Sequence, residues 1–221
     1  MYFNEETEES LKTNLNLELE IELEEGEAFL EILFSGKVNS QCEGFYIAKK
    51  TVYTDFEPIS ARRAFPCFDE FFFKTPFNIS IKSNEKMVLS NMNVIKKEKD
   101  KKYTTHFFEK TPKIPPYLVA MLMGDYLLSD SIELSNKIKI EIYHRKNNEF
   151  EVKNFREKIL AISKLSVEML EEMFNMKFST TGIDVLKFAL VPHFPIYGME
   201  NHGLVFLKEN LNHNEIIGTI E

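Results

Sequence analysis

Lys137–Phe174 reads KIKIEIYHRKNNEFEVKNFREKILAISKLSVEMLEEMF, and its hydrophobic period changes once along the way. Over Lys137–His144 apolar and polar residues alternate, Ile138, Ile140 and Ile142 against Lys137, Lys139 and Glu141. A period of two belongs to a strand with one covered face. After Asn148 the period lengthens. Phe155, Ile159, Ile162, Met169 and Met173 recur at three- and four-residue steps or their multiples, and Leu165, Leu170 and Phe174 widen the stripe. Lys and Glu fill the other side. The pattern predicts an amphipathic helix over about 150–176.

Upstream of this switch the chain reads as strands. Asn14–Leu23, NLNLELEIEL, alternates without a break and turns at Glu24-Glu25-Gly26. Further strands are expected in AFLEILFSG (Ala28–Gly36), GFYIAKK (Gly44–Lys50), PFNISIKS (Pro76–Ser83), MVLSNMNVIKK (Met87–Lys97) and KKYTTHFFEKT (Lys101–Thr111). Breaks at short intervals fit an antiparallel β-sandwich. Pro112, Pro115 and Pro116 interrupt it, and YLVAMLMGDY (Tyr117–Tyr126) reads as a buried strand. Downstream of the helix, VLKFALVP reads as a buried strand, HFPIYGMENHG as a loop and LVFLKEN as a strand, and Asn214 is placed to cap a last helix. The expectation is a mixed α+β chain, with a β-sandwich domain over 1–136 and an α/β domain over 137–221.

Bulk properties narrow the function. The 221 residues are 43% hydrophobic, enough for a packed core, and the net charge of -8 offers no footprint for nucleic acid or an anionic membrane. Two cysteines, Cys42 and Cys67, and no signal-peptide pattern lead to the expectation of a reduced, cytoplasmic chain. No stretch approaches the roughly 18 apolar residues of a membrane span. The five histidines never pair at the i, i+4 spacing that would bind one zinc from a single helical face. Neither a nucleophile elbow nor a phosphate-cradling loop is present, so no catalytic residue and no metal ligand is assigned.

Two acidic stretches remain. In TDFEPISARRAFPCFDE (Thr54–Glu70), Arg62, Arg63, Asp69 and Glu70 read as ion pairs that pin a loop. Asp55 and Glu57 alternate across Phe56, so an extended backbone points both carboxylates one way, where they repel unless a cation, an ammonium group or an arginine intervenes. In PIYGMENHG (Pro195–Gly203), Gly198 permits close approach of another backbone. An extended segment there can pair with a peptide as an added strand. Glu200 would then meet the peptide's α-ammonium in a charge-assisted hydrogen bond. A plain surface loop is the competing reading of the same residues.

Together these stretches resemble the zinc aminopeptidase family that includes aminopeptidase N and the leukotriene hydrolase. That family carries Gly-Ala-Met-Glu-Asn on a strand edge, matched here by Tyr197, Gly198, Met199, Glu200 and Asn201. Its Arg-Arg-Ala-Phe-Pro-Cys run is matched within Asp55–Phe71, and GFY at Gly44–Tyr46 and YLVAMLMGDY are similar to family strands. The resemblance implies an N-terminal β-sandwich followed by the start of a thermolysin-like catalytic domain. It implies zinc in the full-length enzyme, peptide substrates with a free N-terminus, Glu57 and Glu200 as anchors of the substrate amine, and Gly198 and Met199 as the peptide-binding edge. Tyr197 and Gly198 depart from Gly-Ala, and His202 stands where the family often has Trp. Asp55 stands where many members have Gln, which implies either a basic first substrate residue or a calcium that admits an acidic one. Ser60 replaces an acid that would help hold that calcium. The family's His-Glu-x-x-His helix follows the anchoring motif and is absent from these 221 residues. The resemblance therefore implies an N-terminal portion of an aminopeptidase, inactive alone. The alternative is a peptide- or partner-binding module that does not cut.

Overall fold

The computed structural model describes residues 25–27 and 29–209, and over 148–155 the backbone alone. The expected strand at Asn14–Leu23 and the expected helix after Asn214 lie outside these residues. Three sheets and one long helix form four layers. The first sheet contains β1 (Gly44–Ala48), β2 (Thr51–Asp55), β4 (Met87–Ser90) and β7 (Met121–Gly124) in the order β1-β2-β7-β4, antiparallel throughout. The second contains β3 (Ser80–Ser83), β5 (Val94–Asp100) and β6 (Tyr103–Phe108), in the order β3-β6-β5. The third contains β8 (Tyr126–Glu133), β9 (Lys139–Arg145), β10 (Val185–Val191), β11 (Gly198–Met199) and β12 (Leu204–Lys208), in the order β11-β12-β10-β9-β8.

Sheet one is covered on both faces, and its side chains divide accordingly. Phe45, Val88 and Met121 enter a core shared with Ile81 and Phe108 of sheet two. Tyr46, Tyr53, Leu89 and Leu122 enter a second core with Ala189, Val191, Met199, Leu204 and Phe206 of sheet three. Alternation along each strand sends neighbours to opposite cores. Tyrosine hydroxyls tie this core together: Tyr53 of sheet one donates to the carbonyl of Pro192 just after β10, and within sheet three Tyr126 Oη donates to the carbonyl of Leu190 at 2.9 Å. A buried tyrosine fills the core while its hydroxyl finds a backbone acceptor.

In sheet three, β9 and β10 are parallel, and α1 (Glu149–Phe174) makes the crossover between them. A parallel pair needs a long connection, and a helix supplies it. The change of period after Asn148 thus marks a β-α-β unit. The helix buries Ile159, Ser163 and Val167, a four-residue ladder against Ile140, Ile142, Phe188 and Leu190. The expected stripe is only partly the buried one. Leu165, Met169, Met173 and Phe174 stand exposed, because the sheet covers one side of the helix and no described residue covers the other. No helix among the described residues is long and apolar enough to cross a membrane.

Other expectations shift. Phe29–Ser35 forms no strand, and Phe29 and Leu33 are exposed. Met87–Lys97 divides at Asn91–Asn93 into β4 and β5, which join different sheets. Tyr117–Tyr126 also divides: Pro116–Leu118 is a 3-10 turn, β7 begins only at Met121, and Tyr126 opens β8. Since β8 pairs with β9, the change of sheet falls at Asp125, ahead of the composition change near Asn136.

Candidate functional site

β2 ends at Asp55, and Glu57 follows immediately, exposed. Asp55 is buried and paired in register with Gly44 of β1. Burial pushes its carboxyl up to about 6, and the charges of Glu57 and Glu43 add to the push. The charge of Glu57 thus reaches Asp55, but the two do not share the expected extended backbone, because β2 stops at Asp55 and Glu57 lies in the turn after it. Beside them, Glu43 accepts from Ser60 Oγ at 2.6 Å and pairs with Arg63 at 3.2 Å. The Arg62–Asp69 ion pair pins the following loop: Asp69 Oδ2 accepts from Arg62 Nε at 2.9 Å and from the Arg62 amide at 3.0 Å.

The second stretch lies at the end of sheet three. β11 pairs with β12 alone, Gly198 opposite Leu207 and Met199 opposite Phe206. Its outer edge has no strand beside it among the described residues. The Met199 side chain is buried in the core, whereas Tyr197 stands half exposed and Glu200 is exposed. Asn201 is buried; its carbonyl accepts from the Leu204 amide at 3.2 Å, and its Nδ2 meets no partner among the described residues. Of the seven candidates, then, Glu57, Tyr197, Gly198 and Glu200 reach solvent, while Asp55, Met199 and Asn201 are covered.

Tyr117 connects the two stretches. It occupies the 3-10 turn, packs its ring on Phe71 at 5.5 Å and touches both cores of sheet one. Its hydroxyl is held above the usual tyrosine range, first by burial and then by the charges of Glu200 and Glu57. Sequence reasoning missed this residue; the signal available was an aromatic directly after Pro115-Pro116.

It also missed Asn91. This residue is fully buried at the end of β4. Its Nδ2 donates to the carbonyls of Leu118 and His202, each at 2.7 Å, and its Oδ1 accepts from the Ala120 amide at 2.9 Å. The available signal was a polar residue directly after the apolar run of β4.

Among the described residues no group of three or more His, Cys, Asp or Glu side chains is arranged to hold a metal. The zinc implied by the resemblance therefore finds no fitting ligand set among the described residues. Cys42 and Cys67 are both free thiols.

Comparison with known proteins agrees with this architecture. The family described as Peptidase M1 N-terminal domain matches residues 2–118. Aminopeptidase M1-B of Oryza sativa subsp. japonica is 30% identical over 206 residues, covering 88% of this chain and 22% of the relative. The alanine/arginine aminopeptidase of Saccharomyces cerevisiae is 35% identical over 191 residues, 80% of this chain and 21% of the relative. The glutamyl aminopeptidase of Homo sapiens is 35% identical over 197 residues, 84% of this chain and 20% of the relative. The chain spans about a fifth of the length of these relatives.

Proposed function

The chain belongs to the peptidase M1 family through its N-terminal domain, and on that premise we propose that it supplies the α-amine anchor of a zinc-dependent aminopeptidase. The intact protein removes single residues from peptide N-termini. Glu57 and Glu200 hold the ammonium of the first residue, and Asp55 deepens the negative potential beneath Glu57. The outer edge of β11, at Gly198 and Met199, receives the peptide backbone as an added strand. Tyr197 borders the first side chain, and Asn201 shapes the loop that carries Glu200. Sheets one and two form the sandwich domain, and the β8–β12 sheet with α1 opens the thermolysin-like domain.

One relationship supports this reading: Glu57, which follows β2 of sheet one, and Glu200, which follows β11 of sheet three, both add their charge to the upward push on the Tyr117 hydroxyl. Two carboxylates whose charges both reach Tyr117, neither with a salt-bridge partner among the described residues, favour a cation. An ammonium with three donors satisfies both. The names of the relatives fit an amine-recognising site, since they include aminopeptidases of differing first-residue preference.

The test is isothermal titration of the 221-residue chain with tetra-alanine amide and with its N-acetyl form. A charge-assisted hydrogen bond contributes about 1.5–3 kcal/mol, so the free amine should bind roughly ten- to a hundredfold more tightly. Glu57→Gln and Glu200→Gln should each erase most of that difference. Equal affinity of the unaltered chain for the two peptides would remove the anchor.

A further inference from the structure

Glu57 follows β2 of sheet one and Glu200 follows β11 of sheet three, so their spacing depends on what locks those sheets together. Asn91 lies at that junction. Its side chain reaches the Leu118 carbonyl, next to Tyr117, and the His202 carbonyl, two residues beyond Glu200, both at 2.7 Å. Its own carbonyl accepts from Lys187 Nζ at 3.0 Å. Lys187 belongs to β10, and its amide donates to the Gly203 carbonyl at 3.1 Å. Gly203 itself lies against the Asn91 carbonyl, and a β-carbon added there would stand only 2.5 Å from that oxygen. The Asn91 side chain and carbonyl thus meet the Tyr117 turn, the Glu200 loop, β10 and Gly203 within one dry contact.

We propose that Asn91, seated on Lys187, is a positioning residue that fixes the distance between Glu200 and Glu57 and so sets the selectivity for a free peptide amine. This rests on the amine-anchor reading given above. A single amide side chain satisfying two carbonyls from different segments holds them at one separation, since each lost bond would leave a buried acceptor unpaired. The cost accepted for the latch is visible at Lys187, which is nearly fully buried and pulled down to about 8, chiefly by desolvation, with Glu141 and Glu109 opposing. A lysine kept in so dry a place has a defined partner, and here that partner is the Asn91 carbonyl.

Ser90 supplies the control. It is buried beside Asn91, and its Oγ donates to the Ala120 carbonyl at 2.8 Å, but no bond of its side chain reaches the Glu200 loop. Unaltered chain, Asn91→Ala and Ser90→Ala are titrated with tetra-alanine amide and its N-acetyl form, and their unfolding is followed by denaturant. Both variants should lose stability. Asn91→Ala should lower the ratio of free to acetylated affinity at least fivefold, and Ser90→Ala should leave it within twofold. Should Asn91→Ala not fold, Lys187→Met releases the same carbonyl and should reduce the ratio severalfold. A folded Asn91→Ala, or Lys187→Met in its place, with the unaltered ratio overturns the latch and leaves the anchor intact. An unaltered chain that binds both peptides equally overturns both.

Discussion

Gly203 holds φ at +74° directly against the backbone of Asn91, where a β-carbon would come within 2.5 Å of the Asn91 carbonyl oxygen. Two independent costs therefore oppose any side chain at this position. The left-handed backbone costs an ordinary residue about 1–2 kcal/mol, and overpacking against backbone adds roughly 1–3 kcal/mol. Gly203→Ala should lower unfolding free energy by roughly 2–5 kcal/mol in urea titration. An unchanged midpoint would mean that the loop shifts away from Asn91 freely.

The Arg62–Asp69 pair answers to a different term. The Asp69 side chain is almost fully buried, and it satisfies both the guanidinium and the amide of Arg62. Removing one partner of a buried pair strands the other, at about 3–5 kcal/mol. Arg62 keeps some access to water, so Asp69→Ala should cost about 3 kcal/mol, near the bottom of that range. Asp69→Asn retains an acceptor and should cost less. Equal loss in the two variants would show that shape, and not charge, holds this loop.

Asp55 gives the opposite sign. Its carboxyl is raised from 3.8 to about 6 in the folded chain, by burial and by Glu57 and Glu43. An acid with a raised folded value destabilises the fold when ionised. The penalty is absent below the unfolded value near 3.8, grows as pH rises through about 6, and is complete above it. Asp55→Asn should therefore stabilise the chain at pH 8, by roughly 1–2 kcal/mol once solvent screening is allowed for, and by nothing at pH 3.5. An ammonium bound beside Asp55 would favour its ionised form. Titration of tetra-alanine amide at pH 6 in two buffers of unlike ionisation enthalpy should then show proton release, and Asp55→Asn should abolish it. A stabilisation independent of pH would detach Asp55 from the charge argument.

Legibility followed the range of the interactions. The alternation of Ile138, Ile140 and Ile142 and the longer period after Asn148 record local geometry, and both became the elements they indicated. The acid pair across Phe56 did not keep its expected geometry, because β2 stops at Asp55 and Glu57 falls in the following turn, which leaves Asp55 buried and Glu57 exposed. The helix stripe was readable only in part, since Met169 and Met173 obey the same period as Ile159 but nothing described packs on them. Phe29–Ser35 forms no strand, since an apolar run becomes one only when it pairs with an edge, and no described strand pairs with it. Asn91, Lys187 and Tyr117 left almost no trace, because each acquires its role from partners distant in the chain.

The sequence by itself determined the strand at Lys139–Arg145, the helix that follows it, and which side chains can carry negative charge. These follow from the fixed two- and 3.6-residue periods of the backbone and from side-chain chemistry. Only the tertiary structure decided that the charges of Glu57 and Glu200 both reach Tyr117, that β11 ends a sheet, and that Asn91 and Lys187 join β4 to β10 and the loop after Glu200. Those relations require sheets one and three to pack on a shared tyrosine-rich core, and packing between remote segments is set by the whole buried surface at once, which no local period encodes.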